Sequence, residues 1–174
     1  MNNRQYQGAI NRAQGKHFEQ YIDLILAYYK ERGLAMIEKT PEPMVPCQSL
    51  PNGRFVAYFQ KKAQPDYKGT LRGGQSVVFE AKYTSSAKIE QSRVSAEQAR
   101  CLDAYLEMGA ICFVLAAFGM TNIYRVPWAV WQTMKAVFGR KYVTPADLAI
   151  YKVDGSVNGL PELFAAEFRK KEML

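Results

Sequence analysis

In the segment SVVFEAKYT, residues 76–84, side chains of a β-strand would alternate between two faces. Val77, Phe79 and Ala81 make an ordinary packing face, whereas Glu80 and Lys82 fall together on the other, beside Val78. Upstream, Pro65-Asp66-Tyr67-Lys68-Gly69 is a second short strand candidate, joined to the first through Arg72-Gly73-Gly74. Gly73 lies midway between positions 66 and 80. A hairpin turning there sets Asp66 across from Glu80, with Cβ atoms roughly 4.5–5.5 Å apart. Two carboxylates at that separation repel each other or share a cation. A hard divalent ion such as Mg2+ or Mn2+ takes carboxylate and carbonyl oxygens together with water, so Asp66, Glu80 and a backbone carbonyl such as that of Ala81 form a candidate open metal site. Lys82 would then stabilise an attacking water or the charge developing on a phosphate. The same three side chains would also serve as a self-neutralising cluster on a strand surface, and the acid-x-lysine pattern alone does not separate the two.

Composition narrows the substrate. The chain has 174 residues, with 23 Lys and Arg against 16 Asp and Glu, a formal charge of +7. Such an excess attracts a polyanion. The longest apolar run, Ala110 to Phe118, is far short of the about 20 residues a membrane span needs, so no membrane partner is expected. The polar start MNNRQYQGAINR has no hydrophobic stretch behind it, and Cys47, Cys101 and Cys112 are an odd number without CxxC spacing, which points to a reduced, cytoplasmic protein. His17 is the only histidine, which excludes a His-rich metal centre and argues against a Ser-His-Asp triad.

The elements that must position the cluster follow from periodicity. Phe18, Tyr21, Ile22, Ile25, Leu26 and Tyr29 have helical spacing, with Gly33 as the stop. A flexible basic lead, residues 1–13, is expected before them, and Arg12 and Lys16 are candidate contacts for a polyanionic partner. A strand over 34–37 precedes TPEPMVP, residues 40–46, too proline-rich for a helix or a central strand and read as a connector. Residues 44–64 read as an arm leaving the core, with FVAYF ahead of Lys61 and Lys62 suited to stacking and phosphate contacts. A helix over 95–108, closed by Gly109, leads into AICFVLAAF, a strand buried on both faces. Tyr124 to Pro127 is a shorter strand, WAVWQTMKAVF a helix, Thr144 with Pro145 a capped turn, and a last helix is expected from Pro161. The order predicts one α/β domain, residues 1–174, with a mixed sheet flanked by helices.

With Pro65-Asp66 followed by Glu80-Ala81-Lys82, the chain resembles the PD-(D/E)XK nucleases, and more specifically the RecU-type Holliday junction resolvases. The likeness runs through NRAQGKHFE at 11–19, KTPEP at 39–43, DYKG, FEAKYT and EQARCLDAYLEMGAICFVLAAF at 97–118. It implies a restriction-endonuclease-like fold with a stalk-like arm that enters the centre of a four-way DNA junction. It also implies a metal-dependent endonuclease whose site residues are Glu19, Asp66, Glu80, Lys82 and Gln98. Taken alone, Glu19 is equally a solvated helix residue, and Ser95-x-x-Gln98 is also a capping box. Ala13 replaces the glycine usual after the Asn-Arg pair, and Glu97 the histidine usual before the glutamine. Lys68, beside Asp66, joins Arg12, Lys16, Lys61 and Lys62 as a DNA-contact candidate. Since resolving a junction needs two strands cut, a homodimer is expected. The runners-up are a less selective nuclease of the same superfamily and a junction-binding recombination factor that does not cleave.

Overall fold

The computed structural model describes residues 3–41, 43–59, 64–157 and 159–172. From the N-terminus the chain forms α1 (Asn3–Glu31), β1 (Ala35–Lys39), β2 (Met44–Ser49), β3 (Phe55–Phe59), β4 (Tyr67–Leu71) and β5 (Ser76–Thr84). After β6 (Ile89–Glu90) and a short 3-10 turn come α2 (Ala96–Glu107), β7 (Ile111–Phe118) and β8 (Asn122–Pro127). The rest is built from α3 (Trp128–Gln132), α4 (Met134–Phe138), β9 (Tyr142–Val143), β10 (Ser156–Val157), β11 (Leu160–Pro161) and α5 (Ala165–Glu172).

Five strands make the central sheet in the order β1-β4-β5-β7-β8. It is mixed, because β5 and β7 run parallel through the α2 crossover while every other neighbour is antiparallel. One face carries Val77, Phe79, Phe113 and Leu115 against Phe18, Ile22 and Ile25 of α1. The other carries Val78, Val114 and Val126 against Leu102 of α2, Trp131 of α3 and Met134 of α4. Tyr67, Phe79 and Phe113 stack in succession across three strands, with ring centroids 4.8 and 4.7 Å apart. The Arg125 guanidinium closes the row 4.7 Å from the Phe113 ring.

Several sequence expectations change. The helix begins at Asn3, so the segment expected as a lead ahead of it forms its first turns. It ends as expected at Gly33 (φ 60°), where Gly33 N–H donates to the Lys30 carbonyl and Leu34 N–H to that of Tyr29. Pro46, read as part of a connector, lies within β2, which pairs only with β3 and shifts register between Pro46 and Gln48. A two-stranded edge with a bulge tolerates the missing N–H that a central strand would not. The helix expected over 128–138 is split at Thr133, whose hydroxyl donates to the Ala129 carbonyl at 2.6 Å and competes with the helical ladder. The last helix starts at Ala165 rather than Pro161, and Leu163 and Phe164 are buried in the α1 face. Arg125 holds this segment through both oxygens of Glu167, at 2.9 and 2.6 Å, and through the Leu163 carbonyl at 3.0 Å.

Gly69 sets the approach of β1 to β4. A Cβ there would lie 2.0 Å from the Met36 carbonyl oxygen and 2.4 Å from the Ile37 Cα, both backbone atoms that cannot rotate away. Gly69→Ala should therefore destabilise the fold by about 3 kcal/mol or more, read as a fall in Tm of roughly 6–12 °C; an unchanged Tm would show that the two strands are free to separate.

Candidate active site

The β4–β5 hairpin has the register expected from the turn, with Tyr67 paired to Phe79 and Lys68 to Val78. One step on, Asp66 and Glu80 face each other, and main-chain pairing gives way to side chains. Asp66 N–H donates to Glu80 Oε2 at 3.1 Å, and Ala81 N–H donates to Asp66 Oδ2 at 2.9 Å. Pro65 has no N–H with which to continue a ladder, so this exchange of carboxylates closes the strand pair. A residue in an extended strand turns its N–H and C=O to the same side. The Ala81 carbonyl therefore faces the side on which Asp66 lies.

Glu80 is fully buried, at 0% exposure. Lys82 Nζ donates to its Oε1, as does Gln98 Nε2 at 2.7 Å. Gln98 forms the capping box and also touches the candidate cluster. Its Oε1 accepts from Ser95 N–H at 2.9 Å and its own N–H donates to the Ser95 hydroxyl at 3.2 Å, which completes the capping box of α2, while its amide nitrogen braces Glu80. Burial pushes the Glu80 carboxyl up to about 8 from its ordinary 4.5. The Lys82 ammonium pulls it down and the Asp66 carboxylate adds to the rise.

Glu19 reaches this cluster indirectly. Its carboxylate accepts from Lys39 Nζ at 2.5 Å, and Lys39 also feels the charges of Asp23 and Asp66. The Tyr67 hydroxyl donates to the Glu19 carbonyl at 3.2 Å and to Asp23 Oδ1 at 3.1 Å, so β4 itself anchors the helix that carries Glu19. Burial first, then Asp23, pushes that hydroxyl well above its usual range and keeps it a donor. Lys39, Tyr67 and Asp23 were not singled out from the sequence. The only signal was that Lys39 opens the KTPEP stretch and Tyr67 follows Asp66.

The donor set suits a hard cation. Asp66, Glu80 and the Ala81 carbonyl offer oxygens only, and among the described residues no group of three or more His, Cys, Asp or Glu is gathered as ligands. Thr40 adds one observation. Its N–H donates to the Asp66 carbonyl at 2.8 Å, which continues the β1–β4 pairing to the strand end, and its hydroxyl oxygen is buried with no hydrogen-bond partner.

Of the DNA-contact candidates, Lys16 is exposed on α1. Lys68 bonds Gln64 and lies over the Tyr105 ring of α2 at 5.2 Å. The side chain of Arg12 and the whole of Lys61 and Lys62 lie outside the described residues. Of the two departures, Glu97 pairs with Arg100 on the solvent side of α2, and Ala13 is exposed.

The model of the family described as RecU, Recombination protein U, matches residues 13–154. A Holliday junction resolvase RecU of Streptococcus sanguinis is 30% identical over 174 aligned positions, which cover 95% of this chain and 78% of that protein. One from Streptococcus thermophilus is 29% identical, covering 84% of this chain and 69% of its own. Among solved structures, the Hjc Holliday junction resolvase of Archaeoglobus fulgidus gives a TM-score of 0.47 at 12% identity, covering 76% of this chain and 92% of that one. That overlap is too loose for a residue-by-residue reading.

The Glu80 environment predicts a pH dependence of stability for the metal-free protein. The folded carboxyl titrates above its unfolded value, so its contribution is full below about 4.5 and is lost as pH rises through about 8. Thermal melts of wild type and Glu80→Gln should accordingly diverge across that window, wild type losing ground to the variant as pH rises. Parallel profiles would mean that Glu80 ionises normally in the fold.

Proposed function

The chain belongs to the RecU family of recombination proteins, and on that premise we propose that it is a Holliday junction resolvase. In this reading it is a homodimeric, Mg2+- or Mn2+-dependent endonuclease that hydrolyses phosphodiesters in four-way DNA in the cytoplasm. The observation that carries the proposal is the meeting of Asp66, Glu80 and Lys82 on one strand end, with the buried Glu80 held by Gln98. Among the described residues no helix is long and apolar enough to cross a membrane.

Asp66, Glu80 and the Ala81 carbonyl would hold the ion, which when bound lowers the pKa of a water and offsets phosphate charge. The chain's own residues do the remainder. Gln98 donates to Glu80 Oε1 and fixes the carboxylate's orientation before substrate arrives. Lys82, half-released from solvent at 14% side-chain exposure, sits close enough to Glu80 to present its ammonium to the attacking oxygen or to the scissile phosphate. Burial, with the Asp66 charge added, raises the Glu80 carboxyl in the free protein, and a cation held by these residues would offset that charge. Glu97 pairs with Arg100 and Ala13 is exposed, which favours the cleaving reading over the non-cleaving one. The β2–β3 hairpin supplies the arm, with Phe55 and Tyr58 exposed at 55% and 57% as stacking surfaces at the branch point. Lys61 and Lys62 follow it in the sequence as phosphate contacts.

Labelled duplex, single-stranded and four-way DNA incubated with and without Mg2+ tests the reading directly. Only the junction should be cut efficiently, by paired nicks on opposing strands, and light scattering should find a dimer at micromolar concentration. A monomer that leaves single unpaired nicks would point to the less selective nuclease. Lys82→Ala should lower the cleavage rate by on the order of 10²–10³, with DNA affinity kept. Asp66→Asn and Glu80→Gln should stop cleavage with affinity unchanged or raised, since each removes negative charge near phosphate. Near-wild-type turnover in any of the three would remove that residue from the site. Binding should weaken steeply with salt, and replacing Lys61 and Lys62 by Ala should reduce junction binding more than duplex binding. Equal losses on both would make residues 44–64 a generic basic loop.

A further inference from the structure

Past Glu80 the edge of β5 that faced β4 has no strand beside it, since the pairing with β4 ends at Phe79 and Tyr67. Two bonds fix which way the backbone turns there. Ala81 N–H goes to Asp66, on the β4 side, and the Thr84 carbonyl accepts from Gly119 N–H at 2.9 Å, on the β7 side. Alternation along the strand therefore turns the Tyr83 carbonyl to the same open edge as the Ala81 carbonyl, roughly 7 Å further on. Arg93 Nη2 donates to that Tyr83 carbonyl at 3.4 Å.

Arg93 is exposed, yet the 3-10 turn that carries it, Gln91–Arg93, is fastened from several directions. Gln91 Nε2 donates to the Trp131 and Gln132 carbonyls at 2.9 and 2.8 Å, and Gln91 N–H to the Lys141 carbonyl at 2.9 Å. Val94 N–H closes the turn on the Gln91 carbonyl at 3.2 Å. Ile89 and Val94, on either side of the turn, are buried in the cluster that contains Val78. Glu80 and Lys82 lie on the Val78 face by alternation, so the turn and the candidate site share one face of the sheet. Two residues after Arg93, Ser95 caps the helix whose Gln98 braces Glu80. A cation is thus built onto a fixed turn at the open edge of the strand that carries the site. The Tyr83 carbonyl takes one of the five N–H donors that a guanidinium carries, and the others can meet an anion.

We infer that Arg93 binds a backbone phosphate next to the one that is cut. The inference rests on the DNA-cleaving reading above. With the scissile phosphate at Asp66, Glu80 and Lys82, the roughly 7 Å step along β5 is comparable to the separation of successive phosphates in a DNA strand. A guanidinium presents a fork of donors suited to phosphate oxygens, and such a contact sets register without reading sequence. By holding the neighbouring phosphate, Arg93 fixes the strand so that the phosphate to be cut falls on Lys82 and the two carboxylates.

The test replaces one phosphate at a time, across the cut region of a four-way junction, by an uncharged methylphosphonate. Affinity is read by gel shift without divalent metal, and the cut is mapped separately with Mg2+. In wild type the neutral group one step from the cut, on one side, should weaken binding about tenfold. Arg93→Gln should bind the unmodified junction about tenfold less tightly and be indifferent to the neutral group at that position, with its sensitivity elsewhere kept. Arg93→Lys, which keeps the charge without the fork, should restore part of that sensitivity. Because Arg93 is exposed, Arg93→Gln should keep the Tm of wild type. A fallen Tm with every position still sensitive would make Arg93 a cap for the strand end and overturn the inference, as would a lost sensitivity lying away from the cut. Cleavage with identical interference patterns in wild type and Arg93→Gln would leave the nuclease reading standing without this contact. A sensitivity that Arg93→Gln removes, in a protein that cuts nothing at any Mg2+ concentration, would leave the phosphate contact standing without the nuclease.

Discussion

A carboxyl group with no exposed surface is held at the middle of the sheet by three donors from three places in the chain: the Asp66 backbone, Lys82 and Gln98. Losing the Asp66 donor would strand Oε2, and losing Lys82 and Gln98 together would strand Oε1, each at a cost of about 1–3 kcal/mol. Each donor thus fixes an element. The Asp66 N–H requires the β4–β5 register, Lys82 requires β5 to stay extended past Glu80, and Gln98 requires α2 to start where it does. The geometry of the site and the arrangement of the elements are in this sense one constraint, and the burial they impose is what makes Glu80 hard to ionise.

Where the determinants are local, the sequence was a sufficient guide. The bounds of β5, the turn at Gly73, the facing of Asp66 and Glu80, the start of α2 after Ser95 and the buried run of β7 all follow from periods of two residues, from glycine or from a capping box. Gln98 is instructive, since the capping and site readings looked like alternatives from spacing alone. An amide has an acceptor end and a donor end, and the fold uses one for each.

What was not legible depends on contacts between distant parts of the chain. Lys39 and Tyr67 gain their place only when α1 crosses the sheet, because their partners Glu19 and Asp23 lie 20 to 48 positions away on that helix. The C-terminal residues had no assignable role, yet Leu163 and Phe164 complete the core beneath α1 and Glu167 clamps Arg125. Neither segment carries a periodic pattern of its own, and Arg125 in a β-strand reads as an exposed position until Phe113 and Phe164 are placed beneath it. The early start of α1 is a third case, since a polar run gives no amphipathic signal from which to extend the helix back to Asn3.

The β2–β3 hairpin leaves the sheet between two neighbouring strands, and the Thr40 N–H to Asp66 carbonyl bond, 2.8 Å long, ties its two ends at the root. Because β1 and β4 are already paired with each other beneath that tie, the excursion closes on itself, and none of its described residues from 41 to 59 lies in the buried core. Its length and pitch are therefore not set by the pairing of the central sheet. The loop closure cost grows only slowly with each added residue. The hairpin is thus an attachment to the sheet, and the Asp66–Glu80 cluster is built without it.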